Sequence, residues 1–228
     1  MGQISEDFQA PAQGIEETVI EISLPVETYY FLQYGVFSAV GGVELAQKEL
    51  QDSGIAAARD AIDEKRVYAG VSTDREQAKL LSSQLKTVGV NLILHEIALP
   101  FSAHVKFDGD PMTLERYLSQ SAELVEQLSA SSASHLIESD PTVQSVEEIN
   151  TLRESHQRWT ESATAVRGKL SSDLERDANE MEKAINSAVV AMGEYNKKSA
   201  KTLLWEVQNE MMRFIMAQQK MLHKAGDN

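Results

Sequence analysis

Along the first hundred residues, short apolar stretches alternate with segments of helical spacing; beyond them a helical period persists to the end of the chain. Residues 29–37 (YYFLQYGVF) are dense in aromatic and β-branched side chains, which suits a strand. Val43, Ala46 and Leu50 then recur at helical spacing within 40–51, and Gly54 supplies a left-handed stop. Residues 55–61 and 66–71 read as two strands around the polar turn Asp63-Glu64-Lys65. Thr73 and Glu76 have capping-box spacing and open a helix through Lys86, closed by Gly89. Residues 90–97 (VNLILHEI) form a last, mostly buried strand, and Pro100 ends the unit. The expected class is α+β, with a ferredoxin-like (RNP-like) β-α-β-β-α-β order over 27–100. One four-stranded sheet with both helices on one face leaves its other face open to solvent.

Past residue 110 the expectation is an all-α antiparallel bundle over 110–228. Asp110-Pro111 and Asp140-Pro141 each look like an N-cap followed by proline at the first helical position. The first helix presents Leu114, Tyr117, Ser121, Leu124 and Leu128 and extends to Ile137. A second stripe runs from Val143 past Trp159 to Met192, and Gly168 is the obvious place to break it. Gly193 is expected to end that run, and a last helix carries Tyr195, Leu204, Val207, Met211 and Ile215. Three or four long helices pack naturally as a bundle. Met211, Met212, Met216 and Met221 are expected to fill gaps in its core and Trp159 and Trp205 to anchor it, and its use is protein interaction or self-association.

Composition narrows the choice. The 228 residues carry 35 acidic and 21 basic side chains, a formal net charge of −14, which opposes nucleic-acid partners. There is no cysteine, so neither disulfides nor thiolate chemistry arises. No apolar run approaches the ~20 residues that cross a bilayer. Residues 1–26 hold five acids and no base, with Pro11, Gly14 and Pro25, and read as an acidic linker with a short strand at 18–24. The five histidines are scattered without zinc spacing, and neither a phosphate-cradling glycine loop nor a nucleophile elbow occurs. No catalytic residue, metal or cofactor is therefore expected.

The open sheet face is the candidate site. In strict alternation, Leu32, Tyr34 and Val36 face the helices, while Phe31, Gln33, Gly35 and Phe37 face outward. On the third strand, Arg66 and Tyr68 join them. Aromatic rings beside an amide and a guanidinium form a stacking platform for flat rings, whether bases or sugar faces.

Gln33-Tyr34-Gly35-Val36-Phe37, a glycine-ended helix and Arg66-Val67-Tyr68-Ala69-Gly70 before a second capped helix resemble the SPOR domain family. Its pattern is Gln-x-Gly-x-Phe early and Arg-Val-x-x-Gly in the third strand. The resemblance covers about a third of the chain. It implies binding of peptidoglycan glycan strands that lack stem peptides, through Phe31, Gln33, Gly35, Phe37, Ser38, Arg66 and Tyr68. Ser38 stands in for a serine that many members carry where this chain has Val36. With its helical extension the chain is similar to family members of endospore-forming bacteria. These are anchored in the membrane upstream, lie on its extracytoplasmic face, and act at the sporulation septum during engulfment. That implies septal and engulfment proteins as partners of the bundle, with a possible homo-oligomer. The competing reading is an RNA-recognition-like or ferredoxin-like regulatory domain with a dimerising helical bundle.

Overall fold

The computed structural model describes residues 18–140 and 142–226; the acidic stretch before them and Pro141 lie outside the described residues. The elements follow in the order β1 (Val19–Ser23), β2 (Thr28–Val36), α1 (Val40–Asp52), β3 (Ala58–Arg59), β4 (Arg66–Ser72), α2 (Arg75–Thr87), β5 (Ile93–Ala98), β6 (Ser102–Lys106), α3 (Pro111–Ile137), α4 (Val146–Val166), α5 (Ser172–Lys198) and α6 (Lys201–Gly226). The protein is α+β, with two small antiparallel sheets among the described residues.

In the larger sheet the strand order is β3-β4-β2-β5, so β2 and β4 are the central pair. The buried stripes of α1 (Val43, Ala46, Leu50) and α2 (Ala78, Leu81, Leu85) cover one face. A Cβ on Gly70 would stand 3.3 Å from Gln208 Oε1 on α6, tighter than an ordinary contact, and at van der Waals distance from Leu32 and Leu81. Two expected details change. Residues 55–61 keep only two paired residues, because Ile55, Ala56 and Ala57 are buried without entering the sheet. Asp74 rather than Thr73 caps α2, its carboxylate accepting from the Gln77 N–H at 2.7 Å.

Pro100 does not end the unit. The chain turns there into β6, which pairs with β1 from Val19↔Lys106 to Ser23↔Ser102. Leu24 N–H donates to Phe101 O at 2.8 Å and Leu99 N–H to Glu27 O at 3.0 Å. The ladder therefore continues around the bend, making β1–β2 and β5–β6 the two arms of one folded ribbon. The expected linker before residue 26 thus contributes a structural strand, whose Ile22 is buried.

Four helices follow. The bounds of α3 agree with expectation, and the Asp110 carboxylate caps it by accepting from Met112 N–H at 3.0 Å. The next helix starts five residues past the expected Asp140 cap: Ser145 and Glu148 form its reciprocal capping box. The long stripe breaks at Gly168, whose φ of +75° is a left-handed conformation that a side chain would strain. Gly193 does not stop α5, which continues through buried Tyr195 to Lys198. A glycine on a long, well-packed helix costs too little to end it without a left-handed turn, and that turn falls at Ser199 (φ +50°).

The expected open face is largely closed, and the core runs without interruption from sheet to bundle. Helix α6 lies against β3, β4 and β6 as well as α3 and α5. Val71 projects beyond the reach of the two-residue β3. Its N–H donates instead to Oε1 of buried Gln208 on α6 at 2.7 Å, while Gln208 Nε2 donates to Ser132 Oγ on α3 at 2.8 Å. One amide thus ties the sheet to two helices. Within the bundle, Trp159 is buried with its indole N–H donating to Ser121 Oγ at 2.9 Å. Met211, Met212, Met216 and Met221 are core residues, as expected of gap-filling methionine.

Candidate functional site

The seven sequence-derived site residues divide into two groups. Phe31 and Tyr68 are both 0% exposed, their rings meeting edge to face with centroids 4.8 Å apart. Neither presents a ring face to solvent, which corrects the expected aromatic platform. The cause is local. The β2–β4 register shifts between Leu32 and Gln33 and again between Gln33 and Gly35. Strict alternation cannot be counted across such irregularities. The Tyr68 hydroxyl donates to Oδ2 of buried Asp60 at 2.9 Å. Burial first, then the Asp60 charge, raises its pKa above the usual phenol value, so Tyr68 stays a neutral donor.

Gln33, Gly35, Phe37, Ser38 and Arg66 stay at or near the surface at one end of the central strands. Gly35 has a packing reason, because a Cβ on it would lie 2.7 Å from the Phe37 ring. The same ring rests against Gly42, and Phe37 N–H donates to Lys65 O at 2.8 Å. Gly35 and Phe37 therefore form one folded unit beside Arg66. Ser38 is exposed.

Arg66 organises the site. Its Nε donates to Asp63 Oδ2 at 2.7 Å, and its Nη1 lies 3.3 Å from both Gln33 Oε1 and His95 Nδ1. The hydrogen bond from Arg66 holds the Asp63 carboxyl below its ordinary pKa, so the pair is ionised at neutral pH. Burial, then the neighbouring guanidinium, lowers the pKa of His95, which is neutral at pH 7. A guanidinium only donates, so it fixes both neighbours. Gln33 turns its oxygen inward and its NH₂ outward; His95 accepts at Nδ1 and carries its proton on Nε2. The site thus offers donors from Arg66, Gln33 and His95. Beside them, Ile93, cross-strand partner of Gln33, is 68% exposed. Such an arrangement suits a ligand rich in acceptor oxygens with an apolar flank.

Sequence reasoning missed Asp60, Asp63, Ile93 and His95 as members of this arrangement. Asp60 and Asp63 carried a signal, the Asp-x-x-Asp spacing before Arg66: Asp60 Oδ1 accepts from the N–H groups of Ile62 (2.8 Å) and Asp63 (3.0 Å) and shapes the turn. His95 and Ile93 arrive only through strand pairing, which no local pattern encodes. Compared with models of protein families, with curated proteins and with solved structures, the chain matches none.

Proposed function

We propose that this chain is a non-catalytic carbohydrate-binding protein of the SPOR type, whose sheet unit has the ferredoxin-like arrangement. In this reading it recognises peptidoglycan glycan strands that have lost their stem peptides. The observation that carries the reading is the Arg66 arrangement: a guanidinium aligning the Gln33 amide and the His95 imidazole as outward donors at the end of the two strands bearing the family-like motifs. Removal of a stem peptide frees a lactyl carboxylate on the sugar. Arg66 pairs with that carboxylate, Gln33 and His95 donate to acetamido and hydroxyl oxygens, and Ile93 and Phe37 contact the apolar sugar face. Phe31 and Tyr68 pass from ligand contact to the floor that supports these groups.

The helical half, in the same proposal, presents the sheet to septal and engulfment proteins on the extracytoplasmic side of the membrane, and the anchor lies upstream. The RNA-binding reading is weaker, because it needs exposed ring faces and Phe31 and Tyr68 offer none. The test is co-sedimentation of the whole chain with sacculi before and after amidase digestion. Digestion should increase retention, and Arg66→Ala should remove the increase while leaving the thermal midpoint nearly unchanged. Equal retention on both preparations, or full retention by Arg66→Ala, defeats the proposal.

A further inference from the structure

A guanidinium carries five N–H groups, and at Arg66 the protein itself engages three of them. Nε donates to Asp63 Oδ2, and the two hydrogens of Nη1 go to Gln33 Oε1 and His95 Nδ1, each 3.3 Å away. A carboxylate pairs most strongly with a guanidinium through two parallel N–H groups along one edge. Asp63 blocks the Nε end of one edge, and Gln33 and His95 block the Nη1 end of the other. Arg66 therefore keeps its strongest binding mode closed from within.

Of the three internal acceptors, only His95 can give up its role just below neutral pH. The hydrogen bond from Arg66 keeps Asp63 ionised, and the Gln33 amide does not titrate. A proton on His95 Nδ1 acts twice. The ring can no longer accept, which frees one Nη1 N–H, and Nδ1 becomes a second donor beside it. Without a ligand, the two cationic groups repel each other. A carboxylate seated between them removes the repulsion and takes both donors.

The surroundings of the ring leave this proton under the control of Arg66. His95 is half-buried on β5, opposite Phe31 of β2, with the neutral Tyr68 ring 5.9 Å away on β4. Asp60 and Asp63, on the turn before β4, favour the charged ring; burial and Arg66 outweigh them. On α2, Arg75 is paired with Glu96, which alternation puts on the other face of β5.

We propose that this site takes up a proton with its ligand: a carboxylate binds Arg66 and a protonated His95 together, so affinity for carboxylate-bearing sugars rises as the pH falls below neutrality. The proposal rests on the glycan reading only for the source of the carboxylate. By linkage, a ligand that stabilises the protonated ring binds more tightly where the ring is protonated, by at most about tenfold per pH unit for one proton.

The test is calorimetric titration of the whole chain, at pH 7.5 and pH 5.5, with N-acetylmuramic acid and with its uncharged amide. The lactyl carboxyl of the acid is ionised at both pH values. The acid should bind roughly tenfold more tightly at pH 5.5, with a heat that depends on the buffer's own ionisation because a proton is taken up. The amide should show no such gain. His95→Gln keeps an acceptor for Arg66 but cannot titrate, so it should bind the acid equally at both pH values; its thermal midpoint checks the fold. Nitrogen-15 spectra should show the His95 ring titrating at higher pH when the acid is bound. Equal affinity of the unaltered chain at both pH values, a His95→Gln variant that keeps the gain, the same gain for the amide, or no binding of the acid at either pH would overturn the proposal. Equal retention on digested and undigested sacculi, with the proton coupling intact, would defeat the glycan reading alone.

Discussion

Phe37 folds back over Gly35 so closely that the glycine is set by contact distance alone. Gly35→Ala places a methyl 2.7 Å from the ring, which must rotate away from Gly42 as well. The expected cost is about 1–3 kcal/mol, read from the urea midpoint. Under the proposed glycan-binding reading, retention should fall with it, because Phe37 N–H is paired to Lys65 O beside Arg66. Glu27 behaves differently. Burial raises its pKa above the ordinary 4.5, against the hydrogen bond from Tyr29, and its Oε1 has no partner. A folded state that holds a proton more tightly than the unfolded chain is favoured below the unfolded pKa and loses that advantage as pH rises through the folded one. Glu27→Gln should therefore raise the melting temperature at pH 7, and the gain should vanish below about pH 4.5. A gain equal at pH 4 and pH 7 would contradict this account. Gln33 and Arg66, which the sequence motifs singled out, stand side by side at one end of the central strands. The motifs could not reveal that Phe31 and Tyr68 are covered, because the covering helix lies more than a hundred residues away.

The helices were legible where local chemistry decides them. Asp110 before Pro111 fixes the start of α3, and the left-handed Gly168 fixes the break between α4 and α5. Errors arose where local signals compete with packing. Gly193 looks like a stop, but Met192 and Tyr195 bury the next turn and carry the helix on to Ser199. The turn there uses a residue other than glycine at φ +50°, so Ser199→Gly should stabilise the chain by about 0.5–1 kcal/mol in chemical denaturation. No gain would mean that the serine makes a compensating contact. The strands were legible as apolar runs but not in length or facing. β3 shrinks to two residues because its apolar neighbours bury themselves outside the ladder, and β6 hides behind a proline that bends a strand pair without ending it.

For the whole molecule, sheet and bundle share one core, so the denatured transition should be single. Tyrosine signals from the sheet and tryptophan signals from Trp159 should lose native character at the same urea concentration. Gln208→Leu removes the acceptor of Val71 N–H and the donor to Ser132. It should cost about 1–3 kcal/mol and shift both signals together. Residues 27–100 expressed alone lack β1, β6 and α6. They should bind hydrophobic dyes and melt without a cooperative step, and a sharp transition in that fragment would show the sheet to be self-sufficient.

The placement of Gln208 also bears on synthesis. The donor at Val71 and the wall of β4 wait for a helix that begins 130 residues later, at Lys201. While the chain emerges from the ribosome, the sheet unit can assemble its strands but keeps an unfinished edge until the final helix arrives. A pause or a premature stop anywhere before residue 208 therefore releases a chain with an open strand edge, the kind of species that pairs with its own copies.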